Sequence, residues 1–293
     1  MRLKLAQFLA VLLFSGAAFA PRVSAQNPDT MMPEASAAKA KQVLAQLTDA
    51  MGGPTYLGVR ESQCSGRRAL FGHNGEVTGF VLFTDERRYP DKDRTEYMAK
   101  GHNGILGSLI GIDGLYITHG GTIITLYNGA QGWTLDRSGV SEVPATAVTD
   151  FQETVQRDIN NLLRLRLKEP GMIFRYGGRD TVDLKQVDWV ELTDSAERTF
   201  RLAVDQTTHL LVHSVVTTSD EESRQRNDET TIYTNYQWKE GVQVAMQISR
   251  EKNGRRTYQA FYDSCRYNPN FSDELFTRSG LEKHGSELGV KKK

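Results

Sequence analysis

The chain lacks the constellations on which the common enzyme classes depend. No serine stands in a Gly-x-Ser-x-Gly turn, so the nucleophile elbow of an α/β-hydrolase is missing. No glycine loop followed by Lys-Ser/Thr is present to cradle phosphates at a helix start. Cysteine is almost absent, with only Cys64 and Cys265, which excludes a scaffold held by several bridges. These absences point to a binder rather than a catalyst, with no cofactor.

Long apolar runs are confined to the N-terminus. Arg2 and Lys4 precede the almost wholly apolar stretch Leu5 to Ala20, and Val23-Ser24-Ala25 gives a small-x-small pattern before Gln26. That is the layout of a secretory signal, with cleavage expected after Ala25. A retained anchor is the alternative, but the run is shorter than the ~20 residues that span a bilayer. No later segment approaches that length, so a secreted, periplasmic protein with no transmembrane segment after cleavage is expected. An excess of positive charge is also missing. Lysine and arginine number 36, as do aspartate and glutamate. Residues 1–25 carry Arg2, Lys4 and Arg22 and no acid, so the remainder holds 33 basic against 36 acidic side chains. A nucleic-acid partner requires a basic face, which argues against one here. The single basic cluster, Lys291-Lys-Lys293, reads as a solvated tail.

In an oxidising compartment Cys64 and Cys265 could pair or remain separate thiols, and the sequence leaves both open. A bridge closing so long a loop would contribute roughly 5 kcal/mol in the chain-entropy model.

What is present is a helix followed by many strands. Residues 26–36 are small and polar and read as a flexible segment. From Ala35 to Met51, Val43, Leu44, Leu47 and Met51 fall at helical spacing, with a stop at Gly52-Gly53-Pro54. Strands are predicted over 56–71, 76–84 and 87–98, the first pair turning at Asn74-Gly75. The glycine-rich stretch 101–121 reads as a loop or a mobile gate. Strands at 122–127 and 133–137 follow. A second helix is predicted over 147–168 on the stripe Phe151, Val155, Ile159, Leu162, Leu163 and Leu167, ending at Pro170-Gly171. Seven strands come next: 172–177, 186–192, 199–205, 209–218, 229–238, 242–250 and 256–266. The charged stretch 220–229 reads as a solvated hairpin loop. Phe200, Leu202 and Val204 share one face, as do Val242, Val244, Met246 and Ile248. The expected fold is α+β, a curved, incompletely closed antiparallel β-barrel of about 10–11 strands with two or three helices packed on the concave side. It would occupy residues 37–278, with 279–293 as a polar basic tail.

Several stretches resemble a known superfamily. They are the Arg87-Arg-Tyr-Pro-Asp-Lys-Asp-Arg94 run, Asn128-Gly129-Ala-Gln-Gly132-Trp133, the Val204-Asp205 strand end and Tyr233-x-x-Tyr236-x-x-x-x-Gly241-Val242. With the leader and the first helix, they are similar to the periplasmic lipoprotein-carrier (LolA–LolB-like) superfamily over residues 37–276. The resemblance implies an unclosed antiparallel barrel capped by helices, with an apolar cavity for lipid or lipoprotein acyl chains. Many relatives carry a proline after the Gly-Val segment, where this chain has Ala245.

Metal and catalytic alternatives are weaker. His209 and His213 are four apart in a strand pattern, which separates them by roughly 13 Å. The other four histidines, at 73, 102, 119 and 284, have no partner at ligand spacing. Asp85-Glu86 and Asp273-Glu274 are adjacent, and on a strand such pairs face opposite ways. The expected function is therefore the binding of a lipid or acylated lipoprotein by a carrier or chaperone. The alternative is an envelope-stress sensor or scaffold that binds an envelope protein. Cavity-lining candidates are Phe200, Leu202, Val204, Ile232, Tyr236, Trp238, Val244, Met246 and Ile248. Aromatic residues Tyr233, Tyr258 and Tyr262 cluster nearby.

Overall fold

A computed structural model describes residues 30–71, 75–98, 110–112, 115–117, 122–219 and 226–289. The leader, most of the glycine-rich stretch, most of the charged 220–229 loop, three of the six histidines (73, 102 and 119) and the terminal lysines lie outside the described residues.

Among the described residues fifteen strands form, thirteen of them in one antiparallel sheet. In chain order they are β1 (Glu61–Phe71), β2 (Val77–Arg88), β3 (Lys92–Met98), β4 (Ile110–Ile112) and β5 (Leu115–Ile117). Then come β6 (Thr122–Asn128), β7 (Gln131–Asp136), β8 (Gly139–Glu142), β9 (Ile173–Val182) and β10 (Lys185–Thr193). The last five are β11 (Thr199–Asp205), β12 (Leu211–Ser219), β13 (Arg226–Lys239), β14 (Val242–Lys252) and β15 (Arg255–Tyr267). The sheet runs β8-β7-β6-β3-β2-β1-β15-β14-β13-β12-β11-β10-β9, and the short β4 and β5 pair with each other. Its edges, β8 and β9, do not meet, so the sheet is not closed. The count of about 10–11 expected for so long a curved sheet was low by two or three strands; β8 in particular carried no separate pattern.

The turns follow local chemistry. Asn253 and Gly254 both adopt positive φ, 50° and 76°, as a two-residue hairpin of type I′ requires. Glu240 and Gly241 do the same at 48° and 80°. At β1, one sequence expectation needs correction. The strand predicted from Tyr56 begins only at Glu61, because Pro54 starts a short helix, α2 (Pro54–Leu57), that buries Tyr56. The strand predicted over 87–98, with Pro90 expected to interrupt it as an edge or bend, divides at Tyr89-Pro90, a cis peptide, into the end of β2 and the whole of β3.

The helices supply the rest of the core. α1 (Pro33–Ala50) buries Ala40, Val43, Leu44 and Leu47 against Leu192, Phe200, Leu202 and Val204 of the sheet. Ser36 Oγ accepts the Tyr176 backbone N–H at 2.9 Å, tying the helix start to β9. The helix predicted over 147–168 is broken. α3 (Ala145–Arg157) ends at Asp158, whose ψ of 124° is extended, and α4 (Ile159–Asn161) leads into a π-helical turn, Leu162–Arg166. Asp158 takes the Asn161 backbone N–H at 2.8 Å, an N-cap that favours restarting the helix over continuing it. The segment read as a polar tail contains α5 (Arg278–Glu287), which buries Leu281 against Ile124, Leu126 and Leu135.

A phenol- and guanidinium-lined cavity

Between the sheet and its helices lies a cavity of about 250 Å³. Leu47 and Met51 of the α1 end, Tyr56, and the segment Arg157–Arg164 cover it from the helical side. The sheet supplies Ser62, Cys64, Asp85, Arg87, Tyr233, Tyr236, Val244, Ile248, Tyr258, Tyr262 and Tyr267. Gly52 fixes the entry of α2. At φ 124° it approaches the β13–β14 turn so closely that a Cβ would stand 2.4 Å from the Gly241 carbonyl oxygen. Beside it the Gln243 N–H donates to the Met51 carbonyl at 2.9 Å.

The run Asp85-x-Arg87-x-Tyr89 reaches the cavity because alternate residues share a face. Arg87 Nε lies 2.9 Å from Asp85 and 3.0 Å from Asp93, and its Nη1 is 3.6 Å from Asp158. Arg88 and Glu86 turn the other way. Arg88 binds Glu61, Asp273 and the Phe271 carbonyl, and Glu86 binds Arg94 and Gln63. Burial pushes the Asp85 carboxyl up to about 7; Arg87 opposes that shift and neighbouring Asp93 adds to it.

Four of the phenols are held by hydrogen bonds. Tyr56 donates to Asn160 at 3.2 Å and Tyr236 to the Leu211 carbonyl at 2.9 Å. Tyr233 shares a 3.0 Å bond with Ser214, and Tyr89 a 3.2 Å bond with Ser62. Burial raises the Tyr233 phenol to about 12 and raises Tyr56, Tyr236, Tyr262 and Tyr267 as well, so all stay neutral. Arg164 lies between two of these rings, 4.4 Å from the Tyr56 centre and 4.7 Å from that of Tyr89. Such a wall can take both apolar and polar ligand surface.

Of the nine lining residues expected from the sequence, Tyr236, Val244 and Ile248 line this cavity. Phe200, Leu202 and Val204 do share a face, but α1 covers it and they are fully buried in the main core. Ile232 faces away, as the residue next to Tyr233 on the strand. Trp238 is 59% exposed, and Met246 is buried elsewhere. The reason is a change of phase. Asn235, at φ 55°, interrupts β13, so Tyr233 and Tyr236 reach one side though three residues apart. Asparagine is one of the few residues that adopts this conformation readily. Ala245 and Ile248 opposite them are also three apart and also line the cavity.

Sequence reasoning missed Tyr56, Asp85, Arg87, Tyr89, Asp158 and Arg164. Only the Asp85-Arg87-Tyr89 alternation carried a signal. Cys64 and Cys265, left open above, are joined in a disulfide across β1 and β15. His213 Nε2 lies 2.8 Å from Asp183, while His209 sits in a turn at φ 56°. No helix among the described residues is long and apolar enough to cross a membrane.

Solved structures provide a comparison. A DUF1329 family protein from Desulfovibrio piger aligns with a TM-score of 0.52 at 12% identity, covering 83% of this chain and 98% of that one. The two share a fold. Two further structures align less closely. A LolA superfamily protein from Nitrosomonas europaea gives a TM-score of 0.49 at 13% identity, covering 83% and 99% of the two chains. A putative outer membrane lipoprotein-sorting protein domain from Vibrio parahaemolyticus gives 0.49 at 10%, covering 86% and 100%. No protein-family model matches the sequence, and no curated protein does.

Proposed function

We propose that this is a non-enzymatic envelope protein that encloses a lipid or acylated ligand, as a carrier or chaperone, in the cavity between sheet and helices. The cavity carries this reading. It is walled on the sheet side by Val244, Ile248 and tyrosine rings and on the helical side by Leu47, Met51 and Leu163. Enclosing an acyl chain there yields ~0.8 kcal/mol per methylene, enough for useful affinity from a short buried length. The secretory leader pattern and the Cys64–Cys265 disulfide support an oxidising, periplasmic site of action.

Native mass spectrometry of residues 26–293 purified from a periplasm, followed by organic extraction, tests this. A stoichiometric lipid or acyl species is expected. A clean apo mass, together with no uptake of an added fluorescent fatty acid, would reject ligand enclosure and leave a protein-binding scaffold.

A further inference from the structure

Four guanidinium groups line the cavity, those of Arg87, Arg157, Arg164 and Arg250, and three of them are ion-paired. Arg87 is ion-paired with three carboxylates, Asp85, Asp93 and Asp158. Arg157 pairs with Glu153 at 3.3 Å and Arg250 with Glu229 at 4.0 Å. Arg164 is held differently. Its guanidinium rests on the rings of Tyr56 and Tyr89, with a hydrogen bond to Tyr89 and the Asp158 charge also acting on it, and no carboxylate of the described residues forms an ion pair with it. Its Nε and Nη1 are both shut off from solvent and have no acceptor among the described residues. A buried guanidinium N–H without an acceptor costs free energy that an anion would recover, and a ring-stacked guanidinium is already oriented to receive one.

Placement gives the site its direction. Arg164 stands on the π-helical turn, one residue after Leu163 and near the Leu47–Met51 end of α1, while Val244 and Ile248 lie on the sheet wall of the same cavity. Polar and apolar binding surface thus occupy one chamber, which is the layout for an amphiphile rather than for a bare hydrocarbon or a bare ion. Rings under the charge keep water from competing for it.

We propose that Arg164 is the headgroup anchor of this cavity, and that the ligand is a single anionic amphiphile whose carboxylate or phosphate meets Arg164 while its tail lies along Val244 and Ile248. This rests on reading the cavity as a ligand chamber and specifies what enters it. Asp158, the carboxylate of the same helical segment that also lines the cavity, is occupied by the Asn161 N–H and Arg87, so it does not replace the ligand.

The test compares two probes on the mature protein, 12-(9-anthroyloxy)stearic acid and its methyl ester, by fluorescence titration. Tighter binding of the acid by about 10- to 100-fold is expected, the range for hydrogen bonds to a charged group. Arg164→Met should bring the two probes to near parity. Arg164→Lys keeps the charge and should retain part of the acid preference, which loss of packing alone would not produce; it also serves if the methionine variant does not fold. Equal affinity for both probes in the wild type, or a full acid preference in Arg164→Met, overturns the anchor while leaving ligand enclosure intact. Failure of both probes to bind overturns enclosure and the anchor together. Inorganic phosphate alone should bind far more weakly than the acid. Affinity equal to that of the acid would mark a free-anion site and overturn the amphiphile.

Discussion

Cys64 and Cys265 face each other across the β1–β15 pair, their Cα atoms 4.1 Å apart and 201 residues apart in sequence. The bridge joins the two strands at which the halves of the sheet meet, and Cys64 also lines the cavity. Replacing both cysteines with serine should lower stability by about 2–5 kcal/mol, measured by urea denaturation of oxidised protein. A change below about 0.5 kcal/mol would show that the seam is held by the strands alone.

Asp85 makes stability fall as pH rises. Its carboxyl binds a proton more tightly folded than unfolded, so the folded state holds more protons between about 4 and 7. The contribution is intact below the unfolded value and is lost as pH climbs through the folded one. Asp85→Asn should flatten this slope and be more stable than wild type at pH 8 by on the order of 2–4 kcal/mol. Denaturation curves at pH 5 and pH 8 decide it. Parallel slopes in the two proteins would show that Arg87 keeps Asp85 ionised. Asp194 and Asp205 are shifted downward despite burial, the first by Arg166 and Arg198 and the second by backbone N–H groups, so their effect falls at lower pH and does not overlap.

Gly52 should tolerate no side chain. Alanine there meets both a left-handed backbone and the Gly241 carbonyl, and a loss of about 1–3 kcal/mol is expected from the strain alone. Thermal unfolding of Gly52→Ala reads this directly. A midpoint unchanged from wild type would mean that the α1–α2 corner is not held against the β13–β14 turn.

Phe200 and Ile248 should separate stability from binding. Phe200, fully buried, is a core residue, and Phe200→Ala should cost about 3–5 kcal/mol while the folded fraction still binds the methyl ester probe. Ile248→Glu should do the reverse, cutting ester affinity tenfold or more by placing a charge against the tail. The opposite pattern would place the ligand elsewhere.

The sheet itself was legible, since several of its strands alternate cleanly and the β6–β7, β13–β14 and β14–β15 hairpins sit at Asn-Gly or Glu-Gly pairs. The cavity was much less so, for two physical reasons. Helical periodicity continues straight through Asp158, and only the competing cap from Asp158 to Asn161, with Asn161 Nδ2 donating to the Pro90 and Val155 carbonyls, breaks the helix there. That break turns Arg164 toward Tyr56 and Tyr89. Strict alternation also fails at Asn235, where one left-handed residue changes which side chains face inward. Phe200, Leu202 and Val204 have the pattern of a ligand wall, but nothing in that pattern tells that α1 already occupies it.

The β1–β15 seam also orders events in time. Strands β1, β2 and β3 can pair as soon as residue 98 is made, and β9 to β14 extend by local hairpins. The β1 edge nonetheless stays open until residues 255–267 arrive, which makes that pairing the long-range closure of an otherwise local sheet. A chain emerging from its N-terminus therefore carries the unpaired β1 edge for most of its synthesis. That interval is when association with other chains competes with folding.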